Sequence, residues 1–297
     1  METNAIVMDG KKLADKICDD LKTRVEKMKE MGIQPALTIV TASEDPASKI
    51  YVRNKIRRCE EIGIIPEHIV TPSLTVKMME DICSNNQPTI VQMPFQSDEL
   101  SVEDLGNYIT ARNDVDGFVN LGNVADLANG SRPWNVPCTP LGVMRLLDEY
   151  GIALDGTNVT VIGRSNLVGR PLARLLEQRN ATVTICHSHT EPKRLIQNVL
   201  NSDVVVSATG CAHTLTLEML ENYYGSDVSD ILSRITFVDV GINREENNKL
   251  CGDIDEDLKM LSYAYTPVPG GVGPMTVAML MENTVEAWED CFWHVNS

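Results

Sequence analysis

No apolar run in these 297 residues reaches the roughly 18–20 residues that a bilayer-spanning helix needs. The start, Met-Glu-Thr-Asn-Ala-Ile-Val-Met-Asp-Gly, lacks the basic region and apolar core of a secretory leader and is too acidic for an organellar presequence. A mature, soluble, cytoplasmic chain is therefore expected. No Cys-x-x-Cys pair occurs among the eight cysteines (18, 59, 83, 138, 186, 211, 251 and 291), so they read as reduced, mostly buried thiols. His187 and His189 alternate at a strand end without an acid or thiol nearby, and no metal is expected there. Asn158-Val-Thr and Asn180-Ala-Thr match a glycosylation pattern but fall inside strand-like runs. Positive charge is scarce as well: 26 Lys and Arg against 42 Asp and Glu leave a net charge of −16. That excludes general nucleic-acid binding and attraction to anionic membranes. Internal repeats and low-complexity linkers are absent too.

What is present suits a two-domain enzyme, with 43% hydrophobic and 23% charged residues. The first half alternates helix and strand. A helix is predicted over 9–32, a strand over 36–41, then a helix from the N-cap and proline pair Asp45-Pro46 to about Ile62, ended by Gly63. A short strand follows over 89–93. Thr139-Pro140 reads as a second N-cap and proline pair, opening a helix over 141–150. Strands at 158–162, 182–186, 204–208 and 236–240, with helices between the first three, imply a parallel sheet with right-handed crossovers. The helix after Pro274 is expected to return to the first domain. The fold class is thus α/β: a catalytic domain of residues 1–138 plus about 275–297, and a Rossmann-like domain of 139–274, with a cleft between them.

The first strand of the second half runs into Val161-Ile-Gly-Arg-Ser-Asn-Leu-Val-Gly-Arg-Pro171. Gly163 makes a tight turn, Gly169 allows close helix–strand contact, and the helix N-terminus faces a pyrophosphate. A true G-x-G-x-x-G is missing, because Ser165 holds the second glycine position, and a purely structural strand–helix turn explains this segment alone equally well. Also missing is the acid that usually meets a ribose 2′-hydroxyl, since the next strand ends Cys186-His-Ser-His-Thr190. Arg164 and Ser188 can instead hold a 2′-phosphate, which favours NADP over NAD. Ser207-Ala-Thr-Gly210 and Asp239-Val-Gly-Ile242 put small residues (Ala208, Thr209, Gly210, Gly241) at later strand ends; either alone is an ordinary strand–loop junction.

In the first half, Tyr51 and Lys55 stand four apart on one helix face. Lys49, Arg53, Arg57 and Arg58 read as a solvated face. A phenol can orient an amine, however, and a desolvated lysine can work as acid or base. Gln92 in an otherwise apolar strand needs a partner if buried. Asp116 before Gly117 commonly is a simple turn residue. Residues 266–276, Thr-Pro-Val-Pro-Gly-Gly-Val-Gly-Pro-Met-Thr, make a stiff loop of small bulk that runs into a helix predicted over 275–288.

Tyr51-x-x-x-Lys55, Val91-Gln92-x-Pro94, Asp114-Val-Asp-Gly117, Pro137-Cys-Thr-Pro140, Gly163-Arg-Ser, Cys186-His-Ser, Asp239-Val-Gly-Ile242 and the 266–276 loop occur in one order along nearly the whole chain. In this the sequence resembles the bifunctional methylenetetrahydrofolate dehydrogenase/methenyltetrahydrofolate cyclohydrolases. Gln96 stands where that family commonly has proline and Asn113 where it commonly has lysine. The resemblance implies NADP-dependent oxidation of 5,10-methylene-tetrahydrofolate and hydrolysis of the 5,10-methenyl product to 10-formyl-tetrahydrofolate, in one-carbon metabolism and purine biosynthesis. It implies Lys55 as the proton-transfer group, Gln92 hydrogen-bonded to it, Tyr51 packing beside it and Asp116 on the amino-pyrimidine edge of the pterin. It also implies folate contacts at Val91, Met93, Pro269, Gly270, Gly271, Val272, Gly273 and Pro274. NADP contacts are implied at Gly163, Arg164, Ser165, Val168, Gly169, Ser188, Ala208, Thr209, Gly210, Gly241, Ile242 and Thr276. A homodimer formed through the cofactor domain is implied too. The competing readings are a dehydrogenase without cyclohydrolase activity, a shikimate-type dehydrogenase, and a nucleotide sensor that would have no use for Lys55 and Gln92.

Overall fold

The computed structural model describes residues 5–131, 133–225, 228–245 and 249–295. In chain order the first strands and helices are β1 (Ile6–Val7), α1 (Gly10–Glu30), β2 (Ala36–Thr41), α2 (Pro46–Ile62), β3 (Ile65–Val70), α3 (Val76–Cys83), β4 (Thr89–Val91), α4 (Val102–Leu105), α5 (Leu121–Asn129) and α6 (Cys138–Glu149). Next come β5 (Asn158–Ile162), α7 (Gly169–Gln178), β6 (Thr182–Cys186), α8 (Pro192–Leu200), β7 (Val204–Ser207), α9 (Leu217–Tyr224) and α10 (Val228–Leu232). The last are β8 (Thr236–Asp239), β9 (Asn243–Arg244), β10 (Leu250–Cys251), α11 (Glu256–Met260), β11 (Ala264–Tyr265) and α12 (Val272–Val295). The chain divides into a larger-sheet unit, Met1–Leu13 with Thr139–Thr276, and a smaller-sheet unit, Ala14–Cys138 with Val277–Ser297.

The smaller sheet is parallel, ordered β3-β2-β4. Its centre, Ala-Leu-Thr-Ile-Val-Thr, is buried at all six positions, as a strand covered on both faces requires. A further extended stretch lies along β4, where Asp114 pairs in parallel with Thr89 and the Thr89 N–H donates to the Asn113 carbonyl at 3.0 Å. Asp45 caps α2: its Oδ2 accepts from the Ser48 N–H at 3.1 Å, with Pro46 at the first helical position. The C-terminal part of α12 closes this core, burying Ala278, Met279, Leu280 and Met281. It is tied down by Trp288 Nε1 donating to the Ala36 carbonyl at 2.9 Å and by a two-pronged Arg24–Glu289 pair.

The larger sheet has six parallel strands, ordered β1-β11-β8-β7-β5-β6. Val204, Val205, Val206, Phe237 and Val238 fill its centre. Asp239 ends β8 inside the protein, and Lys259 on α11 meets its Oδ2 at 2.8 Å with both side chains fully buried. Burial disfavours the Lys259 ammonium, but the Asp239 charge and hydrogen bond, joined by Glu256, outweigh it and raise the lysine's pKa.

Some boundaries differ from the sequence expectation. The first thirteen residues go with the larger sheet, not with residues 14–138, because Ile6 and Val7 pair in parallel with Ala264 and Tyr265. A two-residue strand paired across the whole chain leaves no local pattern to read. Residues 1–4, 132 and 296–297, also assigned to that first domain by sequence, lie outside the described residues. Strand β3 was not expected: Pro66 and a mostly exposed pattern disguise it, and both are tolerated at a sheet edge. Helix α6 starts at Cys138, ahead of the expected cap at Thr139, and α12 starts at Val272, so Pro140 and Pro274 sit inside first turns, where the missing N–H costs little. Of the cysteines, 18, 59, 138 and 186 are buried, 83 and 251 half-buried and 211 exposed, all with free thiols; the Cys291 side chain lies outside the described set.

Removing one partner of the buried Asp239–Lys259 pair strands the other in low dielectric. Lys259→Ala is expected to lower the unfolding free energy by about 3–5 kcal/mol, measured by urea denaturation. A change below about 1 kcal/mol, the size typical of exposed pairs, would contradict this role.

Candidate active site

At the carboxyl edge of the smaller sheet, Gln92 follows β4 and its N–H donates to the Val40 carbonyl at 2.8 Å. Its carboxamide is held at both ends: Oε1 accepts from Lys55 Nζ at 3.0 Å, and Nε2 donates to the Met93 carbonyl at 2.9 Å. The amide therefore has one satisfied orientation, with its oxygen toward the amine. Lys55 reaches in from α2 with its side chain only 9% exposed, and Asp116 Oδ2 lies 3.9 Å from its nitrogen, 17% exposed. Tyr51 stands one helical turn earlier and is 38% exposed. The structure thus brings Lys55, Gln92 and Asp116 together, with Tyr51 alongside on the same helix. It does not give Val91 an outward side chain, since a β4 strand buried on both faces packs Val91 into the core with Val40 and Leu105. The Met93 carbonyl is likewise taken up by Gln92 and by Ser48 Oγ at 3.5 Å.

The turn that carries Asp116 is shaped by a residue to which the sequence reading gave no role. Asp114, buried, accepts from the Gly117 N–H at 3.1 Å, the Val119 N–H at 3.1 Å and the Asn120 N–H at 2.8 Å, with Asn123 Nδ2 at 3.5 Å. Burial raises its carboxyl to about 6 against the pull of those donors, with the nearby Asp116 charge pushing the same way. Gly117 has φ +79°, and a Cβ there would stand 2.6 Å from the Val136 carbonyl carbon, so no other residue fits without a shift. From α12, Asn283 Nδ2 donates to the Val115 and Val136 carbonyls at 2.9 and 3.2 Å. Cys138 donates its thiol to the Val115 carbonyl at 3.2 Å; burial pushes that thiol far up, which makes it a packing group rather than a nucleophile. The two aspartates spaced by one residue were the available signal for Asp114. Of the family departures, Asn113 is buried and its Nδ2 donates to Asn86 Oδ1 at 2.8 Å, while the Gln96 N–H donates to the Ala42 carbonyl.

In the larger-sheet unit, Gly163 turns out of β5 with φ +121°, and a Cβ there would stand 2.4 Å from the Ala208 carbonyl oxygen. Ahead of α7, Ser165 Oγ accepts from the Val168 and Gly169 N–H groups at 3.2 and 3.4 Å, which shapes the turn between Gly163 and the helix. Ile162 and Cys186 are register partners, so Arg164 and Ser188, each two residues further on and exposed, share one edge. Partial burial first, then the Arg164 and His189 charges, hold His187 below its usual pKa. Thr209 and Gly210 turn their N–H groups inward to Asp253 Oδ2 at 2.7 and 3.3 Å. The Gly241 N–H likewise turns to Asp239 Oδ1 at 3.1 Å, next to Ile242, which is exposed. In the proline–glycine loop the Val268–Pro269 bond is cis, Gly270 has φ +110°, and the Gly271 N–H donates to the Pro267 carbonyl at 2.8 Å. Val272 opens α12, Gly273 and Pro274 lie in its first turn, and Thr276 Oγ1 stands 3.0 Å from Thr139 Oγ1. Asp239, Asp253 and Lys259 are the working parts that sequence missed; single acids and a lysine on short elements carry no spacing signal.

A parallel-sheet unit of this kind, in one chain with a buried lysine–carboxamide–carboxylate set, defines a two-domain α/β enzyme of the dinucleotide-dependent dehydrogenase class. Comparison with known families makes it specific. Residues 8–116 match the model for the tetrahydrofolate dehydrogenase/cyclohydrolase catalytic domain, and residues 137–292 the model for its NAD(P)-binding domain. The chain is 41% identical over 293 residues to the bifunctional protein FolD of Moorella thermoacetica, covering 95% of this chain and 98% of that one. It is 40% identical over 294 residues to that of Nitrosomonas eutropha, covering 96% and 94%. Among solved structures it is similar to the bifunctional FolD methylenetetrahydrofolate dehydrogenase/cyclohydrolase from Campylobacter jejuni, with a TM-score of 0.86, 36% identity, and 97% and 99% of the two chains covered. A Trypanosoma brucei methylenetetrahydrofolate dehydrogenase-cyclohydrolase, solved with NADP cofactor and inhibitor, has a TM-score of 0.86, 28% identity, and 98% and 99% coverage. The chain belongs to the tetrahydrofolate dehydrogenase/cyclohydrolase family.

The Asp114 carboxyl titrates higher in the folded protein than in the unfolded chain. Its contribution to stability is therefore full below about pH 4 and is lost as pH rises through about 6. The unfolding free energy of the wild type minus that of Asp114→Asn is expected to fall by about 2–3 kcal/mol from pH 4 to 7. A difference that stays flat or rises over that range would refute it.

Proposed function

We propose that this enzyme oxidises 5,10-methylene-tetrahydrofolate with NADP at the larger-sheet unit's crevice and hydrolyses the 5,10-methenyl product to 10-formyl-tetrahydrofolate at Lys55. The observation that carries the second activity is the amine of Lys55, bonded to a carboxamide that is itself locked, with Asp116 beside it. A dehydrogenase alone has no need of that arrangement.

Removing a hydride from a carbon between two nitrogens leaves a cation spread over their lone pairs. No hydroxyl proton has to be taken, and orientation is the main requirement. When bound, NADP supplies the hydride acceptor. Arg164 and Ser188 would hold its 2′-phosphate, and the Gly163–Gly169 turn its pyrophosphate. The NADP named with the Trypanosoma brucei enzyme supports this choice. Hydrolysis does need protons moved. Water adds to the methenyl carbon and gives up a proton to Lys55 Nζ; the same nitrogen returns it to the ring nitrogen as that C–N bond breaks, while the adduct's remaining hydroxyl proton passes to solvent as the C=O forms, leaving the formyl group on the other nitrogen. Such transfer is typically worth about 10²–10⁴-fold. Gln92 holds the amine in line by accepting one of its N–H groups, Tyr51 packs alongside, and Asp116 takes the amino-pyrimidine edge of the pterin. The loop formed by Pro269, Gly270, Gly271, Val272, Gly273 and Pro274 adds further folate contact, supported by its stiffness and small bulk.

The same reading makes the protein a cytoplasmic homodimer joined through the larger-sheet unit, supplying 10-formyl-tetrahydrofolate to purine biosynthesis. The exposed residues of β6, a sheet-edge strand, support the dimer. Light scattering after size exclusion reports it.

The reading is tested by following reduced nicotinamide and methenyl-folate at separate wavelengths with 5,10-methylene-tetrahydrofolate and NADP or NAD. Reduced cofactor without methenyl accumulation, together with hydrolysis of supplied methenyl-folate, is expected; accumulation without hydrolysis would leave only a dehydrogenase. Lys55→Met is expected to lose at least about 10²-fold in cyclohydrolase turnover while staying folded by circular dichroism, and wild-type-like hydrolysis would remove Lys55 from its role. Asp116→Ala is expected to raise KM for folate about tenfold or more in both activities, and unchanged KM values would contradict pterin binding by Asp116.

A further inference from the structure

Asp253 is fully buried, and no ammonium or guanidinium pairs with it among the described residues. Neutral donors satisfy it instead. Its Oδ2 accepts from Ser207 Oγ at 3.0 Å, the Thr209 N–H at 2.7 Å, Thr209 Oγ1 at 2.9 Å and the Gly210 N–H at 3.3 Å. Its Oδ1 accepts from Asn243 Nδ2 at 2.9 Å. Its own N–H donates to Asp239 Oδ1 at 2.9 Å, so it stands on the base that Lys259 anchors. One carboxylate thereby gathers the end of β7, the 207–210 turn and β9.

This placement has a consequence for the crevice. The N–H groups of Thr209 and Gly210 and the Thr209 hydroxyl all point into the protein, toward Asp253. The turn thus offers the crevice no amide donors from these two residues. A buried carboxylate stabilised by neutral donors loses those of Thr209 and Gly210 if the turn moves, so it holds the turn in one conformation. We infer that Asp253 is a positioning residue of the dinucleotide crevice, fixing the 207–210 turn from beneath so that the cofactor meets a preformed wall. The inference rests on NADP being the ligand of this crevice.

The two activities separate the test from folding, because hydrolysis of supplied 5,10-methenyl-tetrahydrofolate uses no dinucleotide. Asp253→Ala is expected to raise KM for NADP, and the dissociation constant for NADPH by fluorescence titration, about tenfold or more, with cyclohydrolase turnover within about twofold of wild type. In Asp253→Asn the amide oxygen can still accept from Thr209 and Gly210, while its NH₂ can donate to Asn243 once that carboxamide turns over. Recovery to within about threefold of the wild-type KM is expected. Unchanged NADP affinity in Asp253→Ala would overturn the inference. So would a parallel loss of both turnovers at constant KM, which marks general loosening, and so would Asp253→Asn as impaired as Asp253→Ala. If Asp253→Ala does not fold, Asn243→Ala withdraws one donor from the same carboxylate. It is expected to raise KM for NADP about two- to fivefold with cyclohydrolase unchanged, and a wild-type KM would overturn the inference equally. A wild type that hydrolyses methenyl-folate but neither reduces nor binds NADP would instead sink the cofactor reading.

Discussion

Parallel pairing aligns the carboxyl ends of neighbouring strands, so residues that follow those strands in sequence are forced onto one edge. Both units are built on that constraint. In the smaller sheet it brings Gln92, after β4, beside the turn that carries Asp116, while α2 returns from β2 to deliver Lys55. In the larger sheet it aligns Ile162 with Cys186 and Ser207 with Asp239, which sets the Arg164–Ser188 edge and the two inward-turned loops beside it. A register slip of one residue would send these side chains to opposite faces.

The strand ends are then fixed by buried acids. Asp114, Asp239 and Asp253 each cost desolvation, and each is offset by converging donors rather than by exposure. Among the described residues only Asp239 has a buried cation as partner; the other two rely on backbone N–H groups, hydroxyls and side-chain amides. Backbone donors suit loops that must keep one shape, because a peptide N–H cannot be re-aimed without moving the chain. Rigidity at the strand ends is thus supplied by buried carboxylates.

The Lys55 site uses a different device. Lysine is a flexible point charge, and four rotatable bonds make it a poor general base unless something aims it. The Gln92 amide does so with its oxygen because its nitrogen is committed to the Met93 carbonyl, and Asp116 Oδ2 lies 3.9 Å from the amine.

Much of this was legible locally. Strands Ala36–Thr41, Asn158–Ile162 and Thr182–Cys186 fall where apolar runs and turn residues put them, and the Asp45-Pro46 cap opens α2 as its chemistry dictates. The order of short motifs, above all the 266–276 loop, pointed to the family. By itself, then, the sequence determined the longer strands and helices, the family and the candidates Lys55, Gln92 and Asp116, because propensity, capping and motif order reside in neighbouring residues. Only the tertiary structure decided that Ile6–Val7 joins the far sheet, that Val91 faces the core, that Thr209 and Gly210 turn their donors inward, and that Asp114 and Asp253 hold the loops. Those outcomes depend on partners dozens to hundreds of residues away or on which face a backbone group meets, and neither leaves a periodic trace along the chain.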